Sequence, residues 1–440
     1  MSHIPKIVTA AIGLVLLVAP TRPVRAGLDE YVKKADPAFA WSLLKADSSD
    51  AGTLYHFKMT SQNWQGIPWI HHLQVYEPAQ VTYRDAMLLF ITGGSTDNMT
   101  SEERDIGFGL AKLCGARVAV LPQVPNQPLL GGKKEDALIA ETFVRYLETK
   151  DENWPLLFPM VKSAVRAMDA VQAWSKEAGK PVPIRFVVTG GSKRGWTTWL
   201  TGASDPRVVA IVPMVIDTLN MKAQKAHSLE VWGKSSEQIG DYTSRGLNDK
   251  FDEPDGKHLW MMVDPYTYRD RLTMPKLLIN GLNDRYWTLD AMNIYWDDLK
   301  GPKSVIYVPN AAHNLKVNKH YATNGIAAFF RHQISNRPWP QLSWKHNDGD
   351  QGALRLAITS TPPPRSAKLW VALAETRDFR DSTWDATEMT IAGNVANGEV
   401  ARPAKGFIAL VGDVEYETDG IPFHLSTQVR QSGAKSEGGK

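Results

Sequence analysis

Short apolar runs alternate with helical patterns along residues 53–335, and this alternation restricts the fold more than any other feature. The runs 86–92 (AMLLFIT) and Arg117–Leu121 (RVAVL) are almost continuously apolar, which is typical of strands buried on both faces. Comparable runs lie at 184–189, 208–216, 275–280 and 304–308. Helical spacing of apolar residues marks about 155–177 and 315–333. The pattern predicts an α/β fold with a mostly parallel sheet and helices on both faces.

Two regions depart from this alternation. Residues 218–270 are polar and aromatic without a strand period, and they lie between two predicted strands, so we expect a helical cap insertion over the carboxyl edge of the sheet. Within 340–430, short strand-like runs separated by turns predict a C-terminal β-sandwich-like module. The main domain then covers 27–339, and the polar tail 431–440 is predicted to be disordered.

The first 26 residues have the pattern of a cleavable signal peptide. Lys6 precedes the uncharged run 7–19, Pro20 ends that run, and Val24-Arg25-Ala26 resembles a cleavage site before Gly27. We therefore expect a periplasmic or secreted protein without a stable membrane anchor after cleavage. An uncleaved anchoring helix is the alternative.

Charge and cysteine content exclude several classes of protein. The chain has 50 basic and 47 acidic residues, and three basic residues lie in 1–26, so the two signs balance in the exported chain. This balance excludes a basic nucleic-acid-binding protein. The single Cys114 excludes a disulfide framework and cysteine-rich metal sites, and adjacent His71 and His72 would point to opposite faces of a strand. We expect no cofactor and no catalytic metal, a small-molecule or peptide substrate, and a monomer.

The string GGSKRG at 190–195 carries the clearest chemical signal. It follows a predicted strand and opens a predicted helix, which places Ser192 on a sharp strand-to-helix turn of the kind called a nucleophile elbow. The second glycine comes one position later than in G-x-S-x-G. The helix N-terminus would direct the Lys193 N–H at developing negative charge, as an oxyanion donor. The alternative is a serine that only caps the helix.

Two further residues follow later strands in a fixed order. Asp284 comes after the strand at 275–280, and His313 comes after the strand at 304–308. The order Ser…Asp…His is that of the α/β-hydrolases. In this interpretation His313 accepts the proton of Ser192, and Asp284 orients His313. Asp284 as a helix cap and His313 as a surface residue are the alternatives, and Asp217 is the rival acid.

The remaining candidates surround this triad. Gly93 and Gly94 follow the strand at 86–92 and are expected to supply a second oxyanion donor, while Ser95 in the same TGGS string is the rival nucleophile. Lys193 and Arg194 could hold an anionic substrate group, or could instead form an ion pair. Four tryptophans are expected near the site, lining an apolar or sugar-binding pocket: Trp196, Trp232, Trp260 and Trp287.

Three strings of the chain resemble a known family. The segments DEYVKK (29–34), VLPQVPNQPL (120–129) and GGSKRGWTTW (190–199) are similar to the PhoPQ-activated pathogenicity-related family, which includes autocrine proliferation repressor-like proteins. The resemblance extends over about 28–430. It implies bacterial export and an α/β-hydrolase-like core, but no defined reaction. The string G-x-S-basic-x-G is also similar to the elbow of glucuronoyl esterases, where a basic residue follows the serine as Lys193 does here.

Three functions are compatible with these features. The first is an exported serine hydrolase, of carboxylesterase type, that cleaves an ester or amide through an acyl-enzyme on Ser192. The second is a catalytically idle hydrolase fold used for binding or signalling. The third is a peptidase acting on antimicrobial peptides. The distance between Ser192 and His313 separates the first function from the second, because proton transfer needs hydrogen-bond contact.

Overall fold

A computed structural model describes residues 27–97, 103–349 and 352–434. The predicted signal peptide, 1–26, and residues 435–440 of the predicted tail lie outside these ranges. Within them, no helix combines the length and the apolar character that crossing a membrane requires.

Strands and helices alternate through the first three quarters of the chain, and strands dominate the last quarter. The strands are β1 (Ala40–Ser49), β2 (Gly52–Trp64), β3 (Ile67–Pro78), β4 (Ala86–Ile91), β5 (Arg117–Leu121), β6 (Arg185–Gly191), β7 (Val208–Met214), β8 (Lys276–Gly281), β9 (Lys303–Val308), β10 (Gln341–Asp348), β11 (Leu354–Thr361), β12 (Ser366–Ala374), β13 (Asp385–Glu388), β14 (Thr390–Ala392), β15 (Val395–Val400), β16 (Phe407–Thr418), β17 (Ile421–Ser426) and β18 (Arg430–Gly433). The α-helices are α1 (Leu28–Lys33), α2 (Glu103–Cys114), α3 (Glu135–Thr149), α4 (Leu157–Glu177), α5 (Lys193–Ser204), α6 (Met221–Trp232), α7 (Gly240–Thr243), α8 (Pro254–Val263) and α9 (His320–Ser335).

The central sheet has the strand order β1-β2-β3-β5-β4-β6-β7-β8-β9. The strands from β5 to β9 in this order are parallel, whereas β1, β2 and β3 form antiparallel hairpins at one side. This is the α/β-hydrolase arrangement, so the predicted fold class is confirmed. Because the strands are parallel, their carboxyl ends meet at one edge, where ligands bind in open α/β sheets.

Each face of the sheet is covered by helices, which explains the unbroken apolar runs in the sequence. In β4, Met87 and Leu89 belong to the core under α4 and α5, whereas Leu88 faces the opposite core under α2 and α9. A strand buried on both faces can therefore be apolar at every position.

The insertion between β7 and β8 is helical, as predicted, and contains α6, α7 and α8 with short 3-10 turns between them. Asp264 at the end of α8 ties the insertion together. Its carboxylate accepts hydrogen bonds from the backbone N–H of Met221 at 2.8 Å and of Tyr266 at 2.9 Å. Both ends of the insertion are thereby held beside the carboxyl edge of the sheet.

The C-terminal strands form two facing layers, as the sandwich-like prediction requires. One layer has the order β10-β11-β15-β14, and the other contains β17, β16, β12 and β13. Gly412 lets the layers approach, because a Cβ there would lie 2.4 Å from Cδ1 of Ile358. The sequence did not predict that the second layer continues the central sheet, through the pairing of Ser426 with Val305 on β9.

Two edge strands correct the sequence predictions. The start of the tail predicted to be disordered from residue 431 is instead part of β18, which pairs antiparallel with β16. Strand β1, at one edge of the central sheet, was not predicted at all. Edge strands are held mainly by backbone hydrogen bonds to one neighbour, so they can form from polar, exposed sequence that lacks the apolar signature of buried strands.

Candidate active site

Ser192 lies at the turn between β6 and α5, in a backbone conformation that side chains rarely adopt. Its φ is 57° and its ψ is −124°. The turn is closed by two backbone hydrogen bonds of 2.9 Å, from the Ser192 N–H to Met214 O and from the Trp196 N–H to Ser192 O. Such strain persists only where the surrounding structure enforces it, and it is characteristic of functional sites.

The glycines around Ser192 are required at two positions by close backbone approach. A Cβ on Gly195 would lie 2.7 Å from both Met214 O and the Cγ2 of Ile216, and a Cβ on Gly190 would lie 2.7 Å from Arg194 O. A Cβ on Gly191 would meet only the Cγ2 of Val215, at an ordinary 3.7 Å. The later position of the second glycine therefore coincides with the point where α5 crosses β7.

We expect Gly195→Ala to destabilise the protein by about 1–3 kcal/mol, because the added methyl overlaps atoms that include a backbone carbonyl in a packed core. Gly191→Ala is the matched control and should change stability by less than about 0.5 kcal/mol. Urea unfolding of both variants measures the difference. Equal stabilities for the two variants would contradict the crowding at Gly195.

Ser192, His313 and Asp284 are joined by two hydrogen bonds. The Ser192 Oγ lies 2.8 Å from Nε2 of His313, and Nδ1 of His313 lies 2.7 Å from Oδ2 of Asp284. Their strands β6, β9 and β8 end at the same edge of the sheet. The Asp284 Oδ1 accepts the Tyr286 N–H at 2.9 Å, and the Tyr286 ring stacks on His313 with ring centroids 4.1 Å apart. The Asp284 carboxylate and the stacked Tyr286 ring thereby hold the imidazole of His313 in position.

Asp217, the rival acid, lies beyond the end of β7 and has a different partner. Its Oδ1 accepts the hydroxyl of Tyr295. Burial raises the pKa of the Asp217 carboxyl to about 7, and the charge of Asp284 acts in the same direction. The contact with His313 thus belongs to Asp284.

This raised pKa predicts a pH-dependent stability. Between the ordinary value of 3.8 and about 7, folded Asp217 holds a proton that the unfolded chain releases, so its contribution to stability falls as pH rises through this range. Asp217→Asn keeps a neutral acceptor for Tyr295. In thermal unfolding, the stability of Asp217→Asn relative to the wild type should therefore increase from pH 4 to pH 7. A difference in stability that stays constant over this range would contradict the raised pKa of Asp217.

The basic pair after Ser192 is engaged in ion pairs, which is one of the two roles that the sequence left open for it. The other role, binding of an anionic substrate group, is not supported by this arrangement. Arg194 donates two hydrogen bonds to Glu135, at 2.7 and 2.8 Å, and Lys193 Nζ lies 2.9 Å from Oδ2 of Asp136. Burial alone would raise the pKa of Glu135, but Arg194 and Lys193 lower it to about 2. These contacts fasten the start of α3 to the start of α5. The backbone N–H of Lys193, at the first position of α5, has no partner within its own helix.

The predicted second oxyanion loop lies against the start of α5. A Cβ on Gly93 would lie 2.5 Å from Nη2 of Arg194, and Gly94 has a φ of 110°, which favours glycine. The rival nucleophile Ser95 donates to Asp97 at 3.2 Å and to Gln127 O at 3.3 Å. Its hydroxyl partners within the described residues thus include no histidine.

A cavity of about 110 Å³ lies between Ser192 and the cap. Trp196, Trp260 and Trp287 line it as expected. Trp232 does not line this cavity in the described structure: it lines a smaller pocket with Asp284 and Trp287, and its ring lies under the guanidinium of Arg380, 4.2 Å away. It therefore lies near the site, as predicted, but not in the wall of the cavity. Much of the remaining lining was not predicted, including Asp136, Tyr242, Phe251 and Tyr286. Only Tyr286 carried a signal, its position two residues after Asp284.

Within the described ranges, no group of three or more His, Cys, Asp or Glu side chains is arranged to hold a metal ion.

Comparisons with known proteins give one family and several similar folds. A sequence model of the PhoPQ-activated pathogenicity-related protein family matches residues 28–380. The chain is 32% identical over 424 residues to the autocrine proliferation repressor protein A of Dictyostelium discoideum, covering 88% of this chain and 85% of that protein. Similar solved structures include acetyl xylan esterase 1 from Thermoanaerobacterium sp. JW/SL YS485, with a TM-score of 0.49 and 17% identity over 71% of this chain and 95% of that chain. Another is the acetyl xylan esterase from Paenibacillus sp. R4, with a TM-score of 0.48 and 14% identity over 69% and 91%.

Proposed function

The chain belongs to the PhoPQ-activated pathogenicity-related protein family, and we propose that it acts as a serine hydrolase that cleaves an ester through an acyl-enzyme on Ser192. The observation that carries the proposal is the continuous hydrogen-bonded chain from Ser192 through His313 to Asp284. A binding protein with an idle hydrolase fold would have no need for this contact, nor for the strained backbone at Ser192.

The proposed reaction has two halves, and in each half His313 first accepts a proton and then donates it. As the Ser192 Oγ attacks the carbonyl carbon, Nε2 of His313 takes the hydroxyl proton, while Asp284 accepts the Nδ1–H and stabilises the imidazolium. His313 then protonates the leaving alcohol, so the carbon–oxygen bond breaks and the acyl group stays on Ser192. A water molecule then attacks the acyl carbon and gives its proton to His313, the bond to the Ser192 Oγ breaks, and His313 returns the proton to Ser192 as the acid leaves.

In this geometry, backbone N–H groups can stabilise the negative charge that develops on the carbonyl oxygen. The first N–H groups of α5 lie directly after Ser192 and carry the positive end of the helix dipole. We assign the Lys193 N–H as one donor, and an N–H of the Gly93–Gly94 loop as the second. Removing one such donor typically costs about 100–1,000-fold in rate.

We propose an ester rather than a polypeptide as substrate because the cap insertion roofs the cavity over Ser192. Residues of the insertion such as Met221, Tyr242 and Trp260 form much of its lining. A concave pocket lined largely by apolar and aromatic side chains suits a small molecule. A polypeptide chain would need a cleft open at both ends.

A fluorophosphonate probe tests the proposal directly, because it reacts with an activated serine and leaves a stable adduct. The purified protein should be labelled, and peptide mapping should find the adduct on Ser192. The same preparation should hydrolyse ethyl acetate. A folded protein that is neither labelled nor active would overturn the proposal in favour of a binding function.

We also propose that the chain is exported, on the evidence of the signal-peptide pattern in 1–26. N-terminal sequencing of the protein recovered from a bacterial periplasm should begin at Gly27. Recovery of an intact Met1 species from the cytoplasm alone would contradict this.

A further inference from the structure

We propose that the cavity beside Ser192 takes an uncharged aromatic ring attached to the ester, so that the substrate is an ester of an aryl-bearing acid or alcohol. This inference rests on the proposed hydrolase function and names its substrate class. It follows from three properties of the cavity: its aromatic walls, the engagement of several of its polar side chains, and its balanced charge.

Aromatic rings form the walls of the cavity. Trp260 and Phe251 are stacked with ring centroids 4.6 Å apart, and Tyr286 and Trp287 lie 5.4 Å apart on the side nearest His313. Aromatic rings prefer offset-stacked or edge-to-face neighbours, and such pairs add stabilisation beyond the area they bury. The walls therefore favour a planar ring over an alkyl group of equal size.

The indoles offer ring surface rather than N–H groups. The Trp196 N–H donates to Val263 O at 2.6 Å. The Nε1 atoms of Trp260 and Trp287 are shielded from solvent and have no hydrogen-bond partner among the described residues. A ligand in the cavity thus meets carbon surface at these residues.

Several polar side chains of the lining are already engaged within the protein. The amide of Gln224 donates to the carbonyls of Leu219 and Ala291, at 3.1 and 3.0 Å. The hydroxyls of Ser228 and Ser236 donate to backbone carbonyls at 2.9 and 2.7 Å. A sugar would require many hydrogen-bond partners to replace water, and these side chains are committed elsewhere. The sequence left open whether the pocket is apolar or sugar-binding, and the structure favours an apolar pocket.

Charge in the lining is balanced by ion pairs. Lys193 is paired with Asp136, whose other oxygen accepts the Tyr242 hydroxyl at 2.9 Å. Lys225 is paired with Asp249 at 2.9 Å. A charged substituent on the ring would lose its hydration without gaining a free counter-charge from these residues, which disfavours it.

Calorimetric binding to the Ser192→Ala protein tests the ligand class without turnover. Ethyl phenylacetate and ethyl cyclohexylacetate have nearly the same shape, and we expect the aromatic ester to bind about two- to tenfold more tightly. Ethyl 4-carboxyphenylacetate, which is charged, and a glucose monoacetate should each bind at least about tenfold more weakly than ethyl phenylacetate. Equal or tighter binding of the cyclohexyl or glucose ester would overturn the proposal.

Replacement of Trp260 tests whether this wall of the cavity produces the preference for the phenyl ester over the cyclohexyl ester. In the Ser192→Ala background, Trp260→Leu should abolish the difference between the phenyl and cyclohexyl esters. Trp370→Leu is the matched control, because Trp370 is also an indole with an unpartnered N–H but lies on β12 in the C-terminal module. Circular dichroism establishes that both variants fold. A preference that survives Trp260→Leu would contradict the assignment of this wall, and Phe251→Leu repeats the test if Trp260→Leu does not fold.

Ethyl acetate hydrolysis by the unmodified protein distinguishes a failure of the aromatic ligand class from a failure of the proposed hydrolase function. Hydrolysis without any aromatic preference would overturn the aromatic class and leave the hydrolase intact. Aromatic preference in the Ser192→Ala protein without turnover in the unmodified protein would support the ligand class and overturn the hydrolase.

Discussion

Ser192→Ala and His313→Ala should each lower kcat for ethyl acetate by about 10⁴–10⁶-fold, with the protein still folded. The physical reason is that the two side chains act as a unit: without His313 the Ser192 hydroxyl keeps its proton, and without Ser192 the imidazole has nothing to activate. The double variant should therefore be no slower than the slower single variant. Steady-state kinetics on the three proteins measure this.

Ser95→Ala is the control for these substitutions. Ser95 ends the string TGGS at 92–95, as Ser192 does at 189–192, but its hydroxyl contacts Asp97 and Gln127. Its kcat should stay within about twofold of the wild type. Loss of activity in Ser95→Ala with retention in Ser192→Ala would reverse the assignment of the nucleophile. Additive losses in the double variant would contradict a shared proton transfer.

Asp284→Asn should lower kcat by about 10³–10⁴-fold, while Asp217→Asn should change it by less than about tenfold. Both substitutions replace a buried carboxyl group by an amide of nearly equal shape. At Asp284 the amide no longer stabilises the imidazolium and can hold His313 in the wrong tautomer, since Nδ1 of His313 lies 2.7 Å from the carboxylate. At Asp217 the partner is the Tyr295 hydroxyl, which an amide oxygen can still accept.

The pH dependence of kcat/KM adds a readout that a purely structural role would not change. An essential base produces an acidic limb in this profile, and loss of its carboxylate partner should move that limb. We expect a shift in Asp284→Asn and none in Asp217→Asn. The reverse result would make Asp217 the acid of the triad.

Much of this fold could be predicted because buried parallel strands leave a strong pattern in sequence. Strands such as β4 and β5 are covered by helices on both faces, so nearly every position is apolar. The edge strands β1 and β18 were missed because backbone hydrogen bonds to a single neighbour leave their side chains free to be polar. The Ser192, Asp284 and His313 candidates were found for a related reason: each directly follows a recognisable strand.

The surroundings of the site could not be predicted in the same way. Asp136 and Tyr242 come from segments distant in sequence, and neither belongs to a motif. Likewise, whether Lys193 and Arg194 face a substrate or a carboxylate depends on where α3 lies. Trp232 and Trp260 both belong to the cap insertion, yet one stacks under Arg380 and the other lines the cavity.

The sequence by itself determined the class of fold, the strand ends at which chemistry can occur, and the order of the three candidate residues, because these are local patterns of hydrophobicity and turn residues. Tertiary structure alone decided that Asp284 rather than Asp217 contacts His313, that the basic pair after Ser192 is bound by Glu135 and Asp136, and that the pocket is aromatic. Those outcomes depend on distances between side chains brought together by the folded sheet and its cap, and no local pattern encodes such distances.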